Sequence, residues 1–290
     1  RGSDLAGEQQ TPRAPRCYRH QDNETWIRCS RCDKAICTQC MIQAPVGYRC
    51  PDCMRAEQPV EPTTVAGATT IAKPYVTYTL IVINLLVFAY QYSVGINAVA
   101  ERWGMWPVGI VTGDQWYRLL TSAFLHGSFL HIAFNMYVLF ALGPILERIL
   151  GHVRFTALYL FSALGGAVAS YFFSDITTVS VGASGAIFGL MGALVVAGRR
   201  LRYDVTQVLV LLGINVVIGF LAPGIDWRAH LGGLVTGAVV AAILVHAPRK
   251  LRTFIQVAGL SGVLLIVVAV AMLRTSQIQE LLAPLGVITT

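Results

Sequence analysis

From Tyr75 onward the chain is a succession of apolar stretches, each about as long as a bilayer is thick. Seven are legible, at roughly 75–93, 129–147, 153–173, 184–198, 205–222, 228–247 and 252–273. Only 13% of the residues are charged, about half the share of a soluble domain, so most of the chain must lie in lipid. Spanning backbone finds no water to bond there, and segments of this length satisfy themselves as helices. The expected fold class is therefore an all-α membrane protein.

Between the first two stretches lies 94–128, with Trp103, Trp106, Trp116 and Tyr117, aromatics that favour the membrane interface. Positive charge is unevenly shared among the short loops. Arg148 and Arg154, then Arg199, Arg200 and Arg202, then Arg249, Lys250 and Arg252 fall on one side, against Arg102, Arg118 and Arg228 on the other. The positive-inside rule puts the first side in the cytoplasm, together with the N-terminus, in a multi-pass protein of the cell membrane. The net charge of +7 is modest and contains no long basic run, so nucleic acid is not an expected partner. The first seventy residues lack an apolar core segment, and no signal peptide is expected.

All seven cysteines fall between positions 17 and 53, in four ligand pairs: Cys17 with His20, Cys29 with Cys32, Cys37 with Cys40, and Cys50 with Cys53. Eight such ligands make two closed four-coordinate sites, the arrangement of structural zinc, with no position left open for catalysis. Metal would supply folding energy that some forty residues cannot bury for themselves. Sequential and interleaved pairing both remain open from spacing alone. The pattern is similar to B-box-type and related cross-brace zinc fingers, which implies that the first and third pairs share one ion and the second and fourth the other. Thiols kept reduced for metal agree with a cytoplasmic module, whose expected partner is a cytoplasmic protein. The expected organisation is a disordered N-terminus (1–16), a zinc module (17–55), a Pro/Thr-rich linker (56–73), a membrane core (74–247) and a last span with its tail (248–290).

Ionisable and polar groups inside lipid are costly and mark function. Four stand out: His131 and Asn135 on the second span, Ser184 at the start of the fourth, and His230 on the sixth. Counting ~1.5 Å per residue from the arginine-rich ends puts all four ~20–28 Å up a ~30 Å hydrocarbon layer, so they share one level. Gly185-x-x-x-Gly189 and Gly233-x-x-x-Gly237 are small-residue faces that let two helices approach. If they meet, the His230 imidazole can take the proton of the Ser184 hydroxyl. His131 and Asn135, one turn apart, suit an oxyanion, helped by the Ser184 backbone N–H at a helix N-terminus. No carboxylate is placed to orient His230, which makes the expected unit a dyad needing no catalytic cofactor. A transporter is disfavoured, because the polar layer does not continue through both leaflets.

These residues carry a resemblance. Gly182-Ala183-Ser184-Gly185 matches the GxSG motif of rhomboid intramembrane serine proteases, and Ala229-His230-x-x-Gly233-x-x-x-Gly237 their AHxxGxxxG motif. His131-Ile-Ala-Phe-Asn135 matches HxxxN, Trp116-Tyr117-Arg118 resembles the Trp-Arg element of the first loop, and Gly143-x-x-x-Glu147-Arg148 the end of the second span. The resemblance implies a rhomboid-like bundle of six transmembrane helices, here with a seventh at the C-terminus and a two-zinc module in front. It implies cleavage of transmembrane-helix substrates near the outer face by Ser184 and His230, with oxyanion stabilisation carried to His131 and Asn135. It also implies a ring at Phe188 packing on the catalytic histidine. The alternative is a catalytically silent rhomboid-like binder of transmembrane helices. Among the other polar residues, His126 reads as interfacial at the loop–helix junction, His152 and His246 as solvated or facing headgroups, and Arg118, Glu147 and Arg148 as structural charge pairs or snorkelling groups. Asn215 reads either as helix glue or as cavity lining.

Overall fold

In a computed structural model of the chain, residues 13–56, 63–221 and 224–285 are described. They fall into two compact units, Arg1–Glu61 and Pro62–Thr290. Most of the stretch expected to be disordered (1–12) and the middle of the expected linker (57–62) lie outside the described residues.

The first unit is built on turns rather than long elements. A two-stranded antiparallel hairpin, β1 (Ile42–Gln43) and β2 (Tyr48–Arg49), turns at Gly47 and is followed by the short helix α1 (Pro51–Ala56). Its core is Ile36 surrounded by buried cysteines. Of the stretch expected to be disordered, residues 13–16 are described, and the Thr25 N–H donates to the Pro15 carbonyl.

The second unit is helical. Its elements are α2 (Tyr75–Val94), α3 (Ile96–Trp103), α4 (Pro107–Gly113), α5 (Arg118–Thr121), α6 (Phe129–Leu150) and α7 (His152–Phe173). They continue as α8 (Ser184–Leu201), α9 (Thr206–Leu221), α10 (Trp227–His246) and α11 (Arg252–Leu282). Among the described residues, six helices are long and apolar enough to cross a membrane. The fifth expected span is the sixteen-residue α9, about 24 Å long and short of a ~30 Å hydrocarbon layer. Pro223 follows two positions after its last described residue in the sequence, a residue type unfavourable inside a helix. The last span runs to Leu282, beyond the expected 273, because Ile278 and Leu282 bury themselves in a cluster with Ile110 and Tyr171. The expected interfacial segment 94–128 folds into the short helices α3, α4 and α5.

Helix α8 is the most enclosed of the long helices, packed against α6, α7, α9 and α10. Outward faces are apolar without cover, as at Leu86, Tyr137, Phe140, Leu265 and Ile266. Such surface is unfavourable in water and suited to lipid. Interior polar groups are tied in. The buried Glu147 carboxylate accepts the Val76 and Thr77 N–H groups and the Thr77 hydroxyl, capping the N-terminus of α2, and pairs with His152 at 2.5 Å. Its partners are therefore α2 and His152, and Arg148 is exposed. The far end of the expected linker is also fixed: Ala66 is fully buried and its carbonyl accepts from the Gln256 amide of α11.

Candidate active site and metal centres

The loop 174–183 delivers Ser184, and its backbone groups need partners wherever water is excluded. The first-loop region supplies its partners. Met105 and Ser180 exchange both backbone hydrogen bonds (3.0 and 2.9 Å), Val108 N–H donates to Ile176, and Gly182 N–H donates to the Ser122 carbonyl at 2.9 Å. That region is itself held by the buried Arg118, whose guanidinium donates to the carbonyls of Glu101 and Gly104 and to Gln115, and lies over Trp106. Arg118 is thus a structural charge, as its sequence suggested.

Gly182 carries a φ of 141°, open to glycine and strained for other residues. Space excludes a side chain as well. A Cβ there would lie 2.9 Å from His131 Cε1, 3.0 Å from His131 Nε2 and 3.4 Å from Ser184 Oγ. The His131 ring and the Ser184 hydroxyl therefore flank the same empty point. Ser184 opens α8, where its own N–H has no partner within the helix.

Helices α8 and α10 meet on their glycine faces. A Cβ on Gly233 would fall 1.9 Å from the Gly185 carbonyl oxygen, and one on Gly237 2.3 Å from that of Gly189. This backbone contact lays the first turn of α10, with His230, beside the first turn of α8, with Ser184. The His230 ring stacks on Phe188 at 4.1 Å and 14°. Beside it lies a small apolar pocket of about 30 Å³ lined by Phe188, Val216, Phe220, Trp227, His230, Leu231 and Leu234. Gly219 of α9 comes close enough that a Cβ would sit 3.3 Å from Nδ1. Among the described residues, Nδ1 has no hydrogen-bond partner and no bond joins Ser184 to His230.

Asp226 does not orient the ring. Its carboxylate caps α10 through Ala229 N–H at 3.2 Å, accepts the Ser180 hydroxyl at 2.6 Å and also accepts Ser170. One side chain thereby fixes the end of α7, the loop before Ser184 and the start of α10. No local sequence pattern signals this role, because two of its partners lie 46 and 56 positions away.

Ser128 caps α6 by accepting the His131 N–H, and Asn135 follows one turn on, buried, with Nδ2 unpartnered among the described residues. His126 departs from its interfacial reading. It is fully buried, its ring lies edge-on to His131 at 5.2 Å, and both ring nitrogens lack partners among the described residues. Its spacing of five from His131 was visible, but not the Gln91 side chain that clamps its backbone from α2. Asn215 bonds back to the Leu211 carbonyl of its own helix.

In the first unit, Cys17, His20, Cys37 and Cys40 form one cluster and Cys29, Cys32, Cys50 and Cys53 the other, with ligand atoms within 4.8 Å of one another in each. The first pair thus groups with the third, and the second with the fourth. A tetrahedral site with Zn–S bonds of ~2.3 Å has S···S edges of about 3.8 Å. Cys32 and Cys50 stand 3.7 Å apart, and His20 Nδ1 lies 3.3 Å from both Cys37 and Cys40. The thiols are also pulled apart in acidity. Burial opposes ionisation of Cys29, but the N–H groups of Cys32, Arg31 and Cys50 hold it down to about 6, while the neighbouring Cys50 and burial push Cys53 up to about 12. Four crowded sulfurs cannot all ionise without a cation, and the donor sets fit a metal ion such as zinc.

A family profile described as the Rhomboid domain matches residues 113–247. Over 189 residues the chain is 36% identical to Rhomboid protease GluP of Bacillus subtilis, covering 62% of this chain and 37% of that protein. It is 30% identical over 211 residues to Rhomboid protease AarA of Providencia stuartii, covering 61% of this chain and 74% of that one. With Putative rhomboid protease YdcA of B. subtilis it shares 36% identity over 148 residues, covering 49% and 74%. The chain thus spans little more than a third of the first relative's length and about three quarters of the other two.

Proposed function

The chain belongs to the rhomboid family, and from that premise we propose that it is an intramembrane serine endopeptidase that cuts transmembrane helices with a Ser184–His230 dyad. The observation that carries this reading is the backbone contact of Gly185 and Gly189 with Gly233 and Gly237, which leaves one hydroxyl and one imidazole on adjoining first turns. His230 takes the Ser184 proton as Oγ attacks the scissile carbonyl, and then gives it to the leaving amine. Water, deprotonated by the same imidazole, hydrolyses the acyl-enzyme. The oxyanion is met by the Ser184 N–H, His131 and Asn135 Nδ2, a donor that is buried and unspent among the described residues. Phe188 holds the imidazole ring by stacking.

In this reading the arginine-rich ends and the metal module face the cytoplasm and the dyad opens toward the outer face. A client helix enters where its outer end unwinds, because an intact helix hides its peptide bonds. Two structural zinc ions hold the module for a cytoplasmic protein partner and take no part in the chemistry. One observation favours the silent-binder alternative: no bond joins Ser184 to His230. Catalytic hydrogen bonds are commonly long without substrate, so this does not outweigh the site as a whole. The experiment is cleavage of a reporter transmembrane substrate in reconstituted membranes. Ser184→Ala and His230→Ala should each abolish product while the protein stays folded, and undiminished cleavage by either variant would remove the assignment.

A further inference from the structure

At the arginine-rich end of the bundle, an open cup of about 430 Å³ is lined by Val196, Arg199, Arg200, Arg202 and His246, drawn from α8, the turn after it, and α10. We propose that this cup binds the phosphate headgroup of an anionic phospholipid. Solvated arginines are ordinary at a cytoplasmic helix end, and three features set this group apart. The charges line one shared concavity. No acid or carbonyl accepts from these three guanidiniums among the described residues, and the nearest acid in sequence, Asp204, accepts the Thr206 N–H. The third is that Arg202 takes a left-handed conformation (φ 61°) to close α8, where its N–H donates to the Arg199 carbonyl. Glycine fills that position at less strain, so the side chain offers something glycine cannot.

Planar guanidiniums pair with phosphate oxygens in a two-pronged way that ammonium groups cannot match. His246 Nδ1–H donates to the Ala242 carbonyl at 3.1 Å, which leaves Nε2 unspent among the described residues. The source of the phosphate follows from what adjoins the cup. Tyr203, the neighbour of Arg202 in the chain, is exposed, and the helices that carry the cup, α8 and α10, belong to a bundle whose other exposed side chains include Val210 of α9 and Val239 of α10, apolar surface suited to acyl chains. Basic pockets between helices on the positive side of a membrane are suited to acidic headgroups.

The test is native mass spectrometry of the full chain in detergent, titrated with phosphatidylglycerol or phosphatidylcholine. Phosphatidylglycerol should bind about tenfold more tightly, and Arg199→Gln/Arg200→Gln/Arg202→Gln should remove that preference. The control Lys73→Gln/Arg148→Gln/Arg249→Gln removes as many exposed charges at the same end and should keep it. Equal loss in both triples would overturn the cup in favour of diffuse attraction. Arg202→Gly suits the backbone there, so its expected loss of affinity, about threefold, cannot come from misfolding; wild-type affinity in this variant would overturn the part given to Arg202. Displacement of the lipid by millimolar inorganic phosphate would mark a soluble-anion site and overturn the lipid assignment.

Discussion

At Gly182 two independent constraints coincide, a φ of 141° and a wall formed by the His131 ring and the Ser184 hydroxyl. Gly182→Ala should therefore cut substrate cleavage sharply while leaving the bundle folded, measured as turnover beside thermal unfolding in detergent. Gly233 differs, because its missing Cβ is a helix-packing constraint: Gly233→Ala should lower stability by about 1–3 kcal/mol, in line with overpacking of a tight core. An unfolding midpoint unchanged by that substitution would contradict the close contact. At this scale the sequence was most legible. A hydroxyl or imidazole in an apolar run announces itself without knowledge of its neighbours. What stayed hidden were long-range polar ties, such as Asp226 to Ser170 and Ser180, or Gln91 to the backbone of His126. No local pattern records which carboxylate meets which hydroxyl across dozens of residues.

Among the elements, the helices were read from hydropathy, and the α8–α10 pairing was suggested by their matched glycine spacing. Hydropathy could not show that 174–183 borrows its hydrogen bonds from Met105, Val108 and Ser122, nor that α11 extends to Leu282 to pack against the α4 region. Both depend on tertiary partners. The N-terminus of α2 likewise depends on Glu147 of α6, which accepts three donors there. Glu147→Ala strands two backbone N–H groups and a hydroxyl in the interior, and should cost about 1–3 kcal/mol. The loss should appear in thermal unfolding of the purified protein, and a neutral result would mean that water replaces the carboxylate.

Across the whole molecule, the two units hold different chemistries. The cysteine spacing made the ligand pairs legible but left their grouping open; the zinc-finger resemblance implied the interleaved grouping, and the folded chain has it, the first ligand pair with the third and the second with the fourth. Removing metal with a strong chelator should unfold the first unit, read as loss of amide dispersion in its NMR spectrum, and should leave cleavage of a membrane substrate unchanged. Loss of cleavage on chelation would instead make the module part of the catalytic apparatus. The central claim, that His230 activates Ser184, is tested most directly by labelling the folded protein with a fluorophosphonate and locating the adduct by peptide mass. The account predicts an adduct on Ser184, absent from Ser184→Ala and strongly diminished in His230→Ala. Undiminished labelling of Ser184 in the His230→Ala variant would contradict it.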